Sequence, residues 1–215
     1  AALLYGVTGS GKTSVMLRIL DHVLESGRGA IILLPEIALT PQTFSIFSAR
    51  YERIALIHSG FTHAERFDAY TRIRNGEVDV VIGTRSAVFA PVPELGAIII
   101  DEEHEHTYKS EMSPRYHARD IAKFRCVTKN ALLLMASATP DVESYKNALD
   151  GKYALVRLGE RYGDAVLPDV RVVRTLKGGA DVLSPELVRE VNERLQRKEQ
   201  AIIFINRRGF NHFFI

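Results

Sequence analysis

Residues 6–13 read Gly-Val-Thr-Gly-Ser-Gly-Lys-Thr, a complete G-x-x-x-x-G-K-T phosphate-binding loop. The short apolar run 3–5 precedes this loop, and apolar residues recur at helical spacing after it. In a strand, loop and helix of this order, backbone N–H groups and the positive end of the helix dipole surround phosphate. The context disfavours a chance match in a glycine-rich turn. The stretch therefore predicts a nucleotide-binding α/β fold.

Each part of the loop has an expected role in holding a nucleotide. Lys12 is expected to be a solvent-facing point charge that reaches the β and γ oxygens, and the Thr13 hydroxyl is expected to hold Mg²⁺. The predicted nucleotide-binding residues are Gly6, Val7, Thr8, Gly9, Ser10, Gly11, Lys12 and Thr13. The cofactors that this motif predicts are ATP and Mg²⁺.

A second motif, Asp-Glu-Glu-His at residues 101–104, follows the continuous apolar run 97–100. Such a run is typical of a parallel strand covered on both faces, and it delivers Asp101 at its carboxyl end. We expect Asp101 to bind Mg²⁺ through water and Glu102 to orient or deprotonate the attacking water. A solvated acidic loop is the alternative, which the accompanying phosphate loop disfavours. The catalytic residues are then Lys12, Asp101 and Glu102, and the metal ligands are Thr13 and Asp101.

Composition excludes several classes of protein. The 215 residues are 46% hydrophobic and 25% charged, with a formal net charge of +2, which permits nucleic-acid binding without requiring it. A single cysteine, Cys126, excludes an internal disulfide and a cysteine-rich zinc site. The sequence shows no signal peptide and no apolar stretch of membrane-spanning length. We therefore expect a cytoplasmic protein with no zinc in this chain and no membrane partner.

Apolar runs alternate with helical patterns along the chain. Further strands are predicted at residues 30–34, 54–57, 78–82, 97–100, 131–135 and 201–205. Helix starts are predicted at Thr40-Pro41, Thr139-Pro140 and Ser184-Pro185, and Thr62 and Glu65 have capping-box spacing. This alternation predicts an α/β fold with a mostly parallel sheet flanked by helices.

The same pattern predicts three regions. Residues 1–152 form an ATP-binding lobe, residues 153–182 a glycine-containing connector, and residues 183–215 the truncated start of a second α/β lobe. The chain begins shortly before the phosphate loop and stops on an apolar segment, so we expect it to be a fragment of a longer protein.

Further motifs, in their order along the chain, resemble those of superfamily 2 helicases. Residues 34–42 and 83–86 stand where such motors carry DNA-contacting motifs, and Ser-Ala-Thr at 137–139 matches the motif that couples their two activities. A closer resemblance is to the PriA family of replication-restart helicases. It is carried by His58-Ser59-Gly60, the run 83–91, the box at 101–104, the run 115–120 and Asn-Arg-Arg-Gly at 206–209.

The resemblance implies a RecA-like P-loop NTPase lobe of a 3′-to-5′ DNA helicase that acts at abandoned replication forks. The implied partners are single-stranded and forked DNA, primosome proteins and single-strand-binding proteins. The implied coupling residues are Glu103, His104, Ser137 and Thr139. The implied DNA-binding residues are Thr40, Gln42, Thr84, Arg85, Ser86, Tyr108 and Tyr116.

Alternatives stay open for the DNA side. Short hydroxyl, amide and guanidinium donors suit sugar-phosphate contact, but Thr40 is equally suited to capping a helix and Arg85 to being a surface charge. A RecG-like motor is a rival within the helicases. A nucleotide- and DNA-binding module without productive turnover is a rival outside the enzymes.

Basic and aromatic side chains interleave between Glu105 and Asp120. In the PriA and RecQ families this position holds an aromatic-rich loop that senses single-stranded DNA, and base stacking on such rings is worth roughly 1–3 kcal/mol per base. The alternative places Tyr116 in the core and Arg115, Arg119 and Lys123, spaced by four, on the solvated face of a helix.

Two histidines, His58 and His104, lie beside these motifs without metal-ligand companions at useful spacing. The resemblance implies that His104 hydrogen-bonds to Ser137 or Thr139. His58 stays open between a functional role and that of a satisfied buried histidine.

Overall fold

Two compact units make up the chain, residues 1–166 and residues 167–215. The computed structural model describes residues 1–161, 169–173 and 183–204. The Asn-Arg-Arg-Gly motif at 206–209 and most of the predicted connector lie outside the described residues.

A seven-stranded sheet forms the centre of the first unit. Its strands lie in the order β3-β4-β2-β5-β6-β1-β7, and neighbouring strands are parallel throughout. The strands are β1 Ala2–Gly6, β2 Gly29–Leu33, β3 Ile54–Ile57, β4 Val80–Gly83, β5 Leu95–Ile100, β6 Leu132–Ser137 and β7 Ala154–Leu158. The mostly parallel α/β fold predicted from the sequence is confirmed.

Helices connect the strands of the first unit, and their first residues follow the capping signals of the sequence. They are α1 Lys12–Glu25, α2 Pro41–Ser48, α3 His63–Arg74, α4 Ala118–Thr128 and α5 Val142–Leu149. The Thr40 hydroxyl accepts a hydrogen bond from the Thr43 N–H, and Thr62 and Glu65 form the predicted capping box. Two short 3₁₀ helices, Arg85–Phe89 and His106–Tyr108, follow β4 and β5.

The core has two halves because alternate residues of each strand face opposite sides of the sheet. On one side, residues such as Leu4, Ile32 and Ile99 pack against α1 and α2. On the other side, residues such as Leu33 and Ile100 pack with side chains of α3, α4 and α5. Burial on both faces explains why these strands appear in the sequence as continuous apolar runs.

The structure differs from the predicted elements at two places in the first unit. Strand β7, Ala154–Leu158, pairs with β1 beyond residue 152, where the sequence pattern places the end of the first lobe. It escaped prediction because it is an edge strand of mostly exposed residues. Helix α5 starts at Val142 rather than after Thr139, because the Asp141 side chain caps it by accepting from the Glu143 N–H.

The second unit contributes one described helix, α6 Pro185–Gln196, capped by Ser184 as predicted. Residues 201–204 form no strand, although a strand is predicted at 201–205. A strand requires ladder hydrogen bonds to a neighbour, and the described residues of this unit include no other strand. Among the described residues, no helix is long and apolar enough to cross a membrane.

Candidate nucleotide-binding site and DNA-facing edge

The sequence motifs gather at one edge of the sheet because the carboxyl ends of parallel strands meet there. The phosphate loop follows β1, the Asp-Glu-Glu-His box follows β5, and Ser137 ends β6, which lies between them. The predicted DNA-contacting motifs follow β2, β3 and β4 in the other half of the sheet. Topology therefore separates a nucleotide half from a DNA half of a single edge.

The phosphate loop has the backbone that its glycines allow. Gly9 and Gly11 have φ of 79° and 87°, a region that side-chain-bearing residues rarely adopt. The Lys12 side chain turns inward, and its Nζ donates to the Gly6 carbonyl oxygen at 2.9 Å. Lys12 is only 9% exposed, so the prediction of a solvent-facing charge is wrong. The loop holds its ammonium group where a phosphate oxygen would compete for it.

The loop lines a cavity of about 430 Å³ together with Asp101 and Glu102. The Ser10 hydroxyl near it is buried and has no hydrogen-bond partner among the described residues. An ammonium group, backbone donors and an orphaned hydroxyl beside the start of α1 fit an anionic ligand such as a nucleotide phosphate.

Two carboxylates face the loop from the end of β5. Burial first, and then the neighbouring charge of Glu102, raise the pKa of Asp101 to about 6. The Glu102 N–H donates to Asp101 Oδ1 at 3.0 Å and opposes this shift. Adjacent carboxyl groups destabilise each other's charge, and a bound cation relieves that repulsion. Oxygen ligands at the mouth of a phosphate-binding cavity fit Mg²⁺.

Glu102 holds a strained backbone, with φ of 45°. For a residue with a side chain this left-handed conformation costs free energy and persists only where its surroundings impose it. Hydrogen bonds to both flanking strands do so here, since Asp101 N–H donates to the Leu33 carbonyl and Glu103 N–H to the Ala136 carbonyl. The box is thus fixed across β2, β5 and β6.

His104 bridges the box to the Ser-Ala-Thr motif. Its Nδ1 lies 2.8 Å from Ser137 Oγ, and its Nε2 lies 3.4 Å from Thr139 Oγ1. The predicted hydrogen bonds of His104 are therefore confirmed, while a role in coupling stays a prediction. His58 is half-buried and accepts a hydrogen bond from the Gly60 N–H through Nδ1.

Glu103 is the centre of a network that sequence analysis did not predict. Its carboxylate accepts from the Asp141 N–H at 2.7 Å, from Ser144 Oγ at 2.9 Å and from Arg119 Nη1 at 3.4 Å. Arg119 is thus buried and ion-paired, and the solvated helix face proposed for it is wrong. A signal was present, because Arg119 lies beside the buried positions Ala118 and Ala122 of α4.

The DNA half of the edge contains a groove of about 550 Å³. Thr40, His58 and Thr84 line it, and Thr40 also caps α2, so both roles considered for this residue are compatible. Gln42 is exposed at the first turn of α2, and Ser86 is half-buried after β4. Thr84 is only 4% exposed, which limits any contact to the groove itself.

Arg85 is neither a free surface charge nor an open phosphate contact in this structure. Its Nη1 donates to the Thr107 carbonyl at 3.1 Å and also to the Lys109 carbonyl. Its guanidinium lies 5.8 Å from the centroid of the Tyr116 ring. Arg85 therefore ties the predicted DNA motif to residues 105–117, the segment that we call the aromatic loop.

The two tyrosines of the aromatic loop have different environments. Tyr108 is 1% exposed, and its hydroxyl donates to the carbonyl oxygens of Asp101 and Leu33 at 2.6 and 3.0 Å. A ring buried in the core presents no face to a base, so the DNA-stacking prediction is wrong for Tyr108. Tyr116 is half-buried against Phe89 at a centroid distance of 5.0 Å, and its contact with DNA stays a prediction.

Comparison with known proteins agrees with this geometry. The family model described as DEAD/DEAH box helicase matches residues 1–148. The replication restart protein PriA of Bacillus subtilis (strain 168) is 43% identical over 98% of this chain and 27% of its own length. The PriA protein of Chlamydia pneumoniae is 41% identical over 97% of this chain and 29% of its own length. The resemblance to the PriA family is confirmed, and the chain spans under a third of these relatives.

Solved structures give the same fold. RecG bound to a three-way DNA junction superposes with a TM-score of 0.56 and 26% identity, over 92% of this chain and 24% of RecG. The helicase domain of Pyrococcus furiosus Hef superposes with a TM-score of 0.53 at 16% identity, over 75% of this chain and 36% of that chain, and supports the fold alone. With a family model that matches most of its length, this chain belongs to the DEAD/DEAH box helicase family.

Proposed function

We propose that this chain is the ATP-binding lobe of an ATP-dependent 3′-to-5′ DNA helicase of replication restart, in which ATP hydrolysis drives translocation on single-stranded DNA. One observation carries the proposal. The phosphate loop and the carboxylates of Asp101 and Glu102 line one cavity at the sheet edge that also carries the predicted DNA motifs. Similarity to the replication restart proteins PriA supports the biological setting.

The residues of the cavity divide the chemistry between them. Lys12 and the loop N–H groups bind the phosphates, Thr13 and Asp101 would hold Mg²⁺, and Glu102 takes the proton of the attacking water. Bound Mg²⁺ would neutralise phosphate charge and orient the phosphate oxygens. Burial of Asp101 limits competition from bulk water around that charge.

Coupling and DNA contact are assigned to the residues around this cavity. His104, Ser137 and Thr139 report the state of the box to the end of β6 through their hydrogen bonds. The groove that Thr40 and Thr84 line would contact the sugar-phosphate backbone, with Gln42, Ser86 and Tyr116 near its path. The proposed partners are single-stranded and forked DNA, primosome proteins and single-strand-binding proteins, and the proposed location is the cytoplasm.

A RecG-like motor is the second candidate, because RecG shares 26% identity with this chain over 92% of its length. Identity to the PriA proteins is higher, which favours replication restart. A binding module without turnover is the third candidate. It is disfavoured because Glu102 is held at a strained φ beside the phosphate loop, where stored strain is typical of an active site.

The test uses the full-length protein that contains this chain. We expect ATPase activity that single-stranded DNA stimulates, and unwinding of a duplex with a 3′ single-stranded tail in preference to one with a 5′ tail. Unwinding that prefers the 5′ tail would contradict the polarity. ATPase activity that responds only to branched duplexes would favour the RecG-like motor, and nucleotide binding without hydrolysis would favour the binding module.

A further inference from the structure

A buried ion pair closes the base of the aromatic loop. The Glu103 side chain is fully buried, the Arg119 side chain is 9% exposed, and Arg119 Nη1 lies 3.4 Å from Glu103 Oε2. The loop leaves the Asp-Glu-Glu-His box at residue 105 and returns to α4, where Arg119 is the second residue. The pair therefore joins the two ends of one loop.

The same pair is bonded to the segment that follows β6. Ser144 Oγ accepts from Arg119 Nη1 at 2.8 Å and donates to Glu103 Oε2 at 2.9 Å. The Asp141 N–H donates to the other Glu103 oxygen at 2.7 Å. Since Thr139 N–H binds Ser137 Oγ, which also binds His104, the network runs from the loop to both sides of the nucleotide cavity.

The aromatic loop is stiff between its ends. Lys109 and His117 form an antiparallel β-bridge, and the Ser110 N–H donates to the Tyr116 carbonyl at 2.8 Å. Arg85 binds the carbonyls of Thr107 and Lys109 from outside. A displacement of this loop therefore moves the first turn of α4, and Arg119 with it.

Stability alone is a weak reason for such a pair. A buried ion pair contributes little net stability compared with apolar residues of similar volume, because desolvation offsets its Coulomb attraction. What a guanidinium fork provides is direction, since its donors lie in a fixed plane. The Arg119 Nε is buried without a hydrogen-bond partner among the described residues, so a second arrangement of the fork has a donor to use.

We propose that Arg119 is a positioning residue for ATP hydrolysis. Through its pair with Glu103 it sets the geometry of the Asp-Glu-Glu-His box and of residues 137–141 according to the state of the aromatic loop. DNA that binds this loop thereby changes the rate at which the box hydrolyses ATP. This inference rests on the proposed function, because it assigns a route for the coupling between DNA and ATP.

The test compares Arg119→Lys with Arg125→Lys in the full-length protein. Arg119→Lys keeps the charge but loses the fork, which avoids stranding the buried Glu103 carboxylate. We expect it to lower the DNA-stimulated kcat at least tenfold while the KM for ATP changes less than twofold. Arg125 lies on the same helix and binds the carbonyls of Val88 and Ala90, away from the network. Its lysine variant controls for general loosening of α4 and should keep the parental stimulation factor.

A second readout follows the network directly. Hydrogen exchange of the Asp141 amide, which binds Glu103, should change when a homopolymeric single-stranded DNA is added to the parent, and should not respond in Arg119→Lys. Equal stimulation factors in Arg119→Lys and the parent would overturn the inference alone. So would an equal loss in both arginine variants, since that result indicates a structural role. A parent whose ATPase ignores DNA would instead overturn the proposed function, and the inference with it.

Discussion

At the scale of single residues, Lys12 is the most exposed to test. Its ammonium group is held on the Gly6 carbonyl and has to be shared with, or released to, a bound phosphate. We expect Lys12→Ala to weaken Mg-ATP binding by about 10- to 100-fold, because a hydrogen bond to a charged group is worth roughly 1.5–3 kcal/mol. Titration with a fluorescent ATP analogue measures this. Lys146→Ala, which removes an exposed lysine paired with Asp150, is the control and should bind normally.

Glu102 gives the second prediction at this scale. We expect Glu102→Gln to bind Mg-ATP as tightly as the parent but to lose about 10²–10⁴-fold in hydrolysis, since the amide keeps the shape of the side chain without accepting a proton. The strained backbone is unchanged because both residues carry a Cβ. Single-turnover hydrolysis in the full-length protein is the measurement, with the exposed Glu25→Gln as control. Parental turnover in Glu102→Gln would show that another group is the base.

At the scale of elements, Gly83 connects the sheet to the predicted DNA motif. A Cβ at this position would lie 2.2 Å from the Ile57 carbonyl oxygen and 2.6 Å from the Ala87 Cβ. Because the first of these contacts is backbone, Gly83→Ala must shift β4 against β3. We expect a loss of roughly 1–3 kcal/mol or more in the free energy of unfolding, as for overpacked sites.

Chemical denaturation of the two matched glycine variants checks this. A Cβ at Gly159 would meet nothing within 4 Å, and its φ lies outside the left-handed region, so Gly159→Ala should leave stability nearly unchanged. If Gly83→Ala were as stable as Gly159→Ala, the close approach of β3 and β4 would not be what requires glycine.

Elements were predictable from sequence to the extent that their signals are local. Strands buried on both faces show continuous apolar runs, and caps such as Thr40 and Thr62 lie directly before their helices. Strand β7 lacks such a run because its edge position leaves most of its residues exposed. The nucleotide cavity was predictable because its motifs carry their chemistry in adjacent residues.

The roles of Arg119 and Tyr108 were not predictable in the same way. A charged residue at helical spacing and a tyrosine in a polar segment are both typical of a surface. Their burial depends on partners distant in the sequence, Glu103 and Ser144 for Arg119 and the Leu33 carbonyl for Tyr108. Only the folded sheet brings these groups together.

At the scale of the whole molecule, the cavity is open and lacks one kind of group. Its lining contains a lysine and two carboxylates, but no arginine among the described residues. Phosphoryl transfer in related motors is assisted by an arginine that meets the transition-state charge, and such a residue is worth about 10³–10⁵ in rate. Arg207 and Arg208 follow the predicted strand 201–205 too closely to be assigned this role, and they lie outside the described residues.

We therefore expect the 215-residue chain by itself to bind Mg-ATP weakly, to hydrolyse it about 10³–10⁵-fold more slowly than the full-length protein, and not to unwind duplex DNA. The measurement is ATPase activity of both forms with and without single-stranded DNA, with sedimentation to fix their oligomeric states. Glu102→Gln in each form is the control for contaminating activity. Robust DNA-stimulated hydrolysis by a monomer of the 215-residue chain would show that its own residues complete the active site, because no second lobe would then be needed to neutralise the γ-phosphoryl charge.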